Sequence, residues 1–136
     1  MNTLINEMKN SNKIYGIYRD PQAIGSEQIY ILNRALGQSY AYTEGVRQLF
    51  ISKESYWIRD LIFSYSKTIT ASNEDFISIH IFKSIDNDNS GYFLLTDGND
   101  NELLHQFIEF IDLETNIELF IEGDSERRIL MLPSER

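Results

Sequence analysis

The hydrophobic period of this chain changes at Phe76, and that change constrains the fold more than any other feature. Over 76–83 the sequence FISIHIFK places isoleucine at every second position, and a period of two is typical of a β-strand. Residues 92–96 return as its neighbour after a polar turn. Alternation recurs over 116–122 and over 127–132, where Pro133 closes the element. The second half of the chain therefore predicts four strands that pair in an antiparallel sheet.

Elsewhere the apolar residues recur at helical spacing, behind polar residues that commonly cap helix N-termini. Thr43 precedes GVRQLFI, and Ser52 precedes KESYWIRDLIFSYSK. Ser26 is a third candidate cap, and Asp100 a fourth. We predict helices over 3–9, 27–36, the two segments after Thr43 and Ser52, and from Asp100 to about Leu113, with an edge strand over 13–18. Together these elements predict an α+β fold, a single globular domain over 1–136 with helices packed against an antiparallel sheet.

Cysteine is absent, which excludes a disulfide framework, a thiolate metal site and a cysteine nucleophile. The first 16 residues lack the long apolar core of a signal peptide, and no apolar run approaches the roughly 18 residues of a membrane span. We therefore expect a soluble cytoplasmic protein that does not contact a membrane.

The net charge of −9 is distributed unevenly along the chain. Residues 1–68 carry +2, whereas residues 69–136 carry −11. Between Ser84 and Glu126 there are twelve carboxylates and no Lys or Arg. A one-sided negative field accelerates encounter with basic partners and repels nucleic acid, so direct nucleic-acid binding is not expected. The other reading is that acidic surface keeps a small domain soluble.

The segment from Asp86 to Asp97 has two interpretations. Its oxygen-bearing residues at positions 1, 3 and 5, its glycine at position 6 and its carboxylate at position 12 match a calcium-binding EF-hand loop. However, position 12 is Asp where Glu is usual, and the preceding residues predict a strand where an EF-hand needs a helix. The same residue types form hairpin turns, and we favour the turn.

The two histidines do not define a catalytic or metal site by themselves. His80 falls on a predicted strand, where a hydrogen-bonded sheet residue is the usual role. His105 follows Glu102 by three residues and precedes Glu109 by four, so in a helix the three side chains could converge on a divalent ion. Such spacing arises readily by chance in an acidic helix.

Other catalytic motifs are missing from the sequence, namely phosphate-binding glycine loops, nucleophile elbows and dinucleotide fingerprints. The sequence leaves open a small enzyme that acts through paired carboxylates. We expect no enzyme activity, no catalytic residue, no resident metal and no cofactor.

The acidic second half favours an inhibitory binding protein. The leading hypothesis is a bacterial immunity (antitoxin-like) protein that neutralises a basic toxin domain, such as a nuclease, by occupying its positive cleft. The alternatives are a phage-type nucleic-acid mimic that blocks a host defence nuclease and a calcium-binding module. Tyr40 and Tyr42 form a second, weaker pair of candidate anchors, for which core packing is the other reading. The predicted partner contacts are Asp86, Asp88, Tyr92, Asp97, Glu102, Glu109, Asp112, Glu122 and Asp124.

Overall fold

The computed structural model describes residues 3–19, 29–35, 38–87, 89–124 and 126–136. Predictions that involve Pro21, Ser26, Glu27, Gly37 and Asp88 lie outside these ranges. The elements are α1 (Thr3–Tyr15), β1 (Ile29–Ala35), β2 (Gln38–Thr43), α2 (Glu44–Ser52), α3 (Tyr56–Ser64), α4 (Ser66–Ala71), β3 (Phe76–Lys83), β4 (Gly91–Asp97), β5 (Glu102–Ile108), β6 (Ile117–Gly123), β7 (Arg127–Met131) and a 3-10 turn (Pro133–Glu135).

The chain has an α+β fold, as the sequence predicts. Within the described residues seven strands follow the order β1-β2-β7-β6-β3-β4-β5. Strand β2 runs parallel to β7, so the sheet is mixed and the prediction of a purely antiparallel sheet is wrong in this respect. The chain divides into two compact units, one of Met1–Arg19 with Ile77–Leu119 and one of Asp20–Phe76 with Phe120–Arg136. The prediction of one domain over 1–136 stays a prediction.

The first unit is built on the antiparallel strands β3, β4 and β5. The strand predicted over 76–83 is confirmed as β3, and its side chains are buried on both faces. Ile77, Ile79 and Ile81 are completely buried on one face. On the other face, Phe82 packs with Leu94 against α1. Such a strand buries its side chains on both sides because each face is covered.

The buried side chain of Asn116 joins α1 to β3, together with that of Ser11. Its Oδ1 accepts a hydrogen bond from the Lys83 backbone N–H at 2.9 Å, and its Nδ2 donates to Ser11 Oγ and to Asn12 Oδ1, each at 2.9 Å. The Ser11 hydroxyl in turn donates to the Lys83 carbonyl at 2.5 Å. The amide of Asn116 thereby satisfies polar groups that would otherwise be buried without partners.

The second unit holds β1, β2, β7 and the helices α2 to α4. Thr43 caps α2 as predicted, because its hydroxyl accepts a hydrogen bond from the Val46 N–H. The Glu135 carboxylate also lies at this helix start and accepts from the Gly45 N–H at 3.2 Å, where a negative charge is favoured. Tyr40 is buried and its hydroxyl donates to the Ser66 carbonyl at 2.9 Å. Tyr40 is therefore a core residue and not a surface anchor.

Two predicted helices are wrong, because their sequences form strands. Residues 29–35 form β1 and pair with β2; the β-branched residues of IYIL favour this state locally. Residues 102–108 form β5 and pair with β4. The predicted edge strand over 13–18 is also wrong: α1 continues to Tyr15, and only Ile17 forms an isolated bridge, to Asn116. No helix among the described residues has the length and apolarity needed to cross a membrane.

Candidate functional site at the edge of the first unit

The structural feature that organises the predicted contact residues is the hairpin of β4 and β5. The turn between the strands is formed by Asp97, whose Oδ1 accepts from the backbone N–H groups of Asn99 and Asn101 at 2.8 and 2.9 Å. The Asn101 side chain donates to Oδ2 and is the largest contribution to a lowered pKa of Asp97, with these backbone bonds next. Asp97 therefore stays ionised and serves the turn. Asp100 therefore belongs to a hairpin turn that leads into β5, whereas the sequence predicts that it begins a helix.

The two ends of β5 carry separate groups of acids. At its start lie Asp97, Asp100 and Glu102, next to α1. Lys9 of α1 forms an ion pair with Asp100 at 3.4 Å, and His105 Nδ1 lies 3.0 Å from Glu102 Oε1. The charge of this end is therefore partly neutralised by Lys9.

The far end of β5 has a different character. Ile108 pairs with Gly91, and the Ile111 N–H donates to the Asn89 carbonyl at 2.8 Å. These contacts bring the segment after β5 against the loop between β3 and β4. Over a seven-residue strand the two ends of β5 are about 20 Å apart. The exposed acids of this end are Asp86, Glu109 and Asp112, and they form no ion pair with a Lys or Arg among the described residues.

Exposed apolar side chains lie at the same end. Phe107 is 52% exposed, Phe110 66% and Ile85 44%. The Phe107 ring packs edge-on against Tyr92 with centroids 5.5 Å apart, and Tyr92 stacks on Phe82. Tyr92 is thus half-buried under Phe107, and the more accessible aromatic rings are Phe107 and Phe110. We call this group the apolar-acidic end: Ile85, Asp86, Phe107, Glu109, Phe110 and Asp112.

The nine predicted contacts do not fall in one place. Asp86, Tyr92, Asp97, Glu102, Glu109 and Asp112 belong to the first unit, while Glu122 and Asp124 belong to the second. Glu122 accepts a hydrogen bond from Arg136 Nε at 2.5 Å. Asp124 accepts from the backbone N–H groups of Arg127 and Glu126, which lower its pKa and form the turn before β7. Asp88 lies outside the described residues.

The EF-hand alternative has the wrong geometry in this chain. Gly91 begins β4 and Asp97 ends it, so loop positions 6 to 12 run along an extended strand and do not wrap around an ion. Asn87 Oδ1 instead accepts from the Asn89 N–H at 3.0 Å, as in a tight turn. Among the residues described, no three His or carboxylate side chains lie close enough together to hold a metal ion. Glu102, His105 and Glu109 therefore do not converge on a common point.

A buried polar cluster, absent from the sequence interpretation, lies on the face of β3 that carries Phe82. Ser78 Oγ is 2.9 Å from His80 Nε2, and His80 Nδ1 is 3.7 Å from Glu118 Oε2. Desolvation lowers the pKa of His80 to about 4, partly opposed by the charge of Asp100. Desolvation also raises the pKa of Glu118. His80 is therefore neutral at pH 7, and its contact with Glu118 is not an ion pair.

The order serine, histidine, carboxylate is that of a hydrolytic triad, but the surroundings differ. Ser78 and His80 are only 8% and 7% exposed, whereas a nucleophile must reach its substrate. Thr96, which pairs with Ser78 across the strands, has a buried hydroxyl without a partner in the described part of the chain. We assign this cluster a structural role in the sheet. The Ser-x-His spacing of Ser78 and His80 is visible in the sequence, but Glu118 joins the pair only through the fold.

The fold and this surface define a small α+β protein with an acidic edge. The chain belongs to a family of unknown function, DUF6876, which matches residues 21–136. A crystal structure of a protein of unknown function from Enterococcus faecalis is similar, with a TM-score of 0.53 and 15% identity over 75% of this chain and 93% of that chain. That similarity shows the fold alone. None of the curated proteins matches the chain.

Proposed function

We propose that this chain is an inhibitory binding protein, a bacterial immunity (antitoxin-like) protein that neutralises a basic toxin domain such as a nuclease in the cytoplasm. The observation that carries the proposal is the apolar-acidic end of β5. Two exposed phenylalanine rings lie there beside three exposed carboxylates that have no Lys or Arg partner among the described residues. Exposed aromatic rings next to uncompensated charge are typical of a protein-binding surface.

The two kinds of side chain have different roles in such a complex. Phe107 and Phe110 supply rigid apolar area that is buried on binding and limits dissociation. Glu109, Asp112 and Asp86 attract a positive partner and raise the association rate. Enzymes that cleave RNA or DNA hold phosphates in positive clefts, so the carboxylates of this surface are complementary in charge to such a cleft.

The nucleic-acid mimic is less well supported by this surface. Mimicry requires carboxylates in rows at a spacing like that of phosphates, whereas in the segment from Phe107 to Asp112 two large apolar residues precede each of the two acids. The surface therefore favours a partner that offers apolar pockets as well as positive charge.

The test is neutralisation of a defined toxin. The genes next to the one that encodes this chain are expressed singly from an inducible promoter in a heterologous bacterium, with and without this chain. We expect one neighbour to arrest growth, this chain to relieve the arrest, and purified chain to inhibit the neighbour's nuclease activity at a one-to-one ratio. If no neighbouring product is toxic, or if the toxic product stays active in excess chain, the proposed function is wrong.

A charge reversal links the effect to the surface. We expect Glu109→Lys with Asp112→Lys to change the free energy of unfolding by about 0.5 kcal/mol or less, because both side chains are exposed. The same double variant should slow association with the toxin about tenfold or more at low salt. Stopped-flow fluorescence measures the rate.

The matched control is Glu54→Lys with Asp60→Lys, two exposed acids of the second unit. Both double variants change the net charge from −9 to −5, so a general charge effect would slow them equally. Slowing confined to the Glu109 and Asp112 variant supports this surface as the interface. Equal association rates for the two variants would show that this surface is not the interface.

A further inference from the structure

Strand β5 ends the sheet on one side. Six of its seven residues pair with β4, and no strand of the described residues pairs with its other side. A terminal strand presents a row of backbone N–H and C=O groups that can pair with another extended chain. Natural proteins usually protect such an edge with lysine, proline, a bulge or a covering segment.

Strand β5 has little of this protection. ELLHQFI contains no lysine and no proline, and the irregularity in its pairing is confined to the beginning, between Leu95 and Thr96. No residue of the strand is buried, and Glu102, His105 and Phe107 are exposed. Its later half is therefore a regular edge, with the exposed ring of Phe107 on one face.

The charge around the edge of β5 favours a basic binding partner over a second copy of the chain. Glu102 lies at one end of β5, and Glu109 and Asp112 follow the other end. Pairing with a second copy would bring carboxylates of both copies together at each end of the strand, which is unfavourable because like charges repel across paired strands. An extended segment with Lys or Arg would place opposite charges there.

We propose that β5 binds an extended basic segment of the partner as an added strand of the sheet. This inference rests on the proposed function and states how the partner is recognised. Backbone hydrogen bonds to β5 supply a large part of the affinity, and the alternate side chains give specificity. Apolar side chains of the segment pack on Phe107, and its basic side chains reach Glu102, Glu109 and Asp112.

The probe is an eight-residue peptide of alternating lysine and valine, blocked at both ends. Eight extended residues span about 27 Å, enough to cover β5 and both acidic ends. Two further peptides carry N-methyl groups, one on every lysine and the other on every valine. Successive N–H groups of a strand point to opposite edges, so only one of the two peptides loses the N–H groups that face β5.

We expect amide hydrogen exchange by NMR to slow within Leu103–Ile108 when the unmethylated peptide binds. One methylated peptide should bind about tenfold more weakly or worse, because several backbone hydrogen bonds are lost together, and the other should bind nearly as well as the parent. Phe107→Ala should weaken binding several-fold, while Ile51→Ala, which alters an exposed side chain of α2, should not.

Three outcomes would overturn strand addition: no binding at millimolar peptide, equal binding of both methylated peptides, or exchange that slows outside β5. If the chain alone sediments as a dimer and its amide exchange in β5 is already slow, the edge would be assigned to a second copy. Failure here is separate from failure of the proposed function. A toxin neutralised in a manner that depends on Glu109 and Asp112, with unchanged exchange in β5, would contradict strand addition alone.

Discussion

Replacement of Asn116 by alanine tests how α1 is held in the first unit. The Asn116 side chain makes three hydrogen bonds, to the Lys83 N–H, Ser11 and Asn12, and Asn116 is only 2% exposed. Alanine removes all three bonds. It leaves the Lys83 N–H without its acceptor in a place where the side chain of Asn116 had excluded water.

The magnitude follows from these contacts. Each lost hydrogen bond removes about 1 kcal/mol net, and a buried donor left without a partner adds about 1–2 kcal/mol. We therefore expect Asn116→Ala to lower the free energy of unfolding by about 3–5 kcal/mol. That is a large part of the roughly 5–15 kcal/mol that stabilises a typical domain.

Urea unfolding followed by far-UV circular dichroism measures the loss. The matched control is Asn99→Ala, because Asn99 is exposed and the Asp97 carboxylate accepts its backbone N–H, which alanine retains; we expect a change of about 0.5 kcal/mol or less. A loss below about 1 kcal/mol for Asn116→Ala, with an unchanged denaturant slope, would refute the reasoning that this amide joins α1 to β3.

Two further predictions concern buried positions of the same unit. The pKa of His80 is lowered from 6.5 to about 4, so the unfolded state binds more protons between these values and stability must fall as the pH decreases from 6.5 to 4. We expect the free energy of unfolding to fall on the order of 3 kcal/mol over this window in the wild type, and not in His80→Gln. Urea unfolding at several pH values measures both, and the same pH dependence in the two proteins would contradict the prediction. A Cβ at Gly91 would lie 2.0 Å from the Phe82 carbonyl oxygen, so Gly91→Ala should destabilise by about 3 kcal/mol or more, and a thermal scan that shows wild-type stability would argue against this close approach.

The sequence by itself determined the elements whose signal is local. Alternation defines β3, β4, β6 and β7 within a residue or two, because a period of two is repeated over each complete strand. The cap at Thr43 was also predictable, since an N-terminal hydroxyl acts on N–H groups only three residues away. The charge asymmetry and the acidic members of the candidate site follow directly from the residues.

The accessible aromatic residues of that site were not predictable in the same way. The segment LLHQFI satisfies a helical period as well as a strand, and a helix would have placed Phe107 on its buried face. The Asp97-Gly98 pair before it is a hairpin signal that could have corrected the assignment.

Only the tertiary structure decided which strand ends the sheet and which strands run parallel to each other. The pairing of β2 with β7 joins residues almost 90 positions apart in the sequence, and the outer place of β5 depends on where β3 and β4 lie. Local periodicity says that a segment is extended, but not how many neighbours it has. The exposed edge of β5, on which the proposed recognition depends, is therefore a property of the assembled sheet.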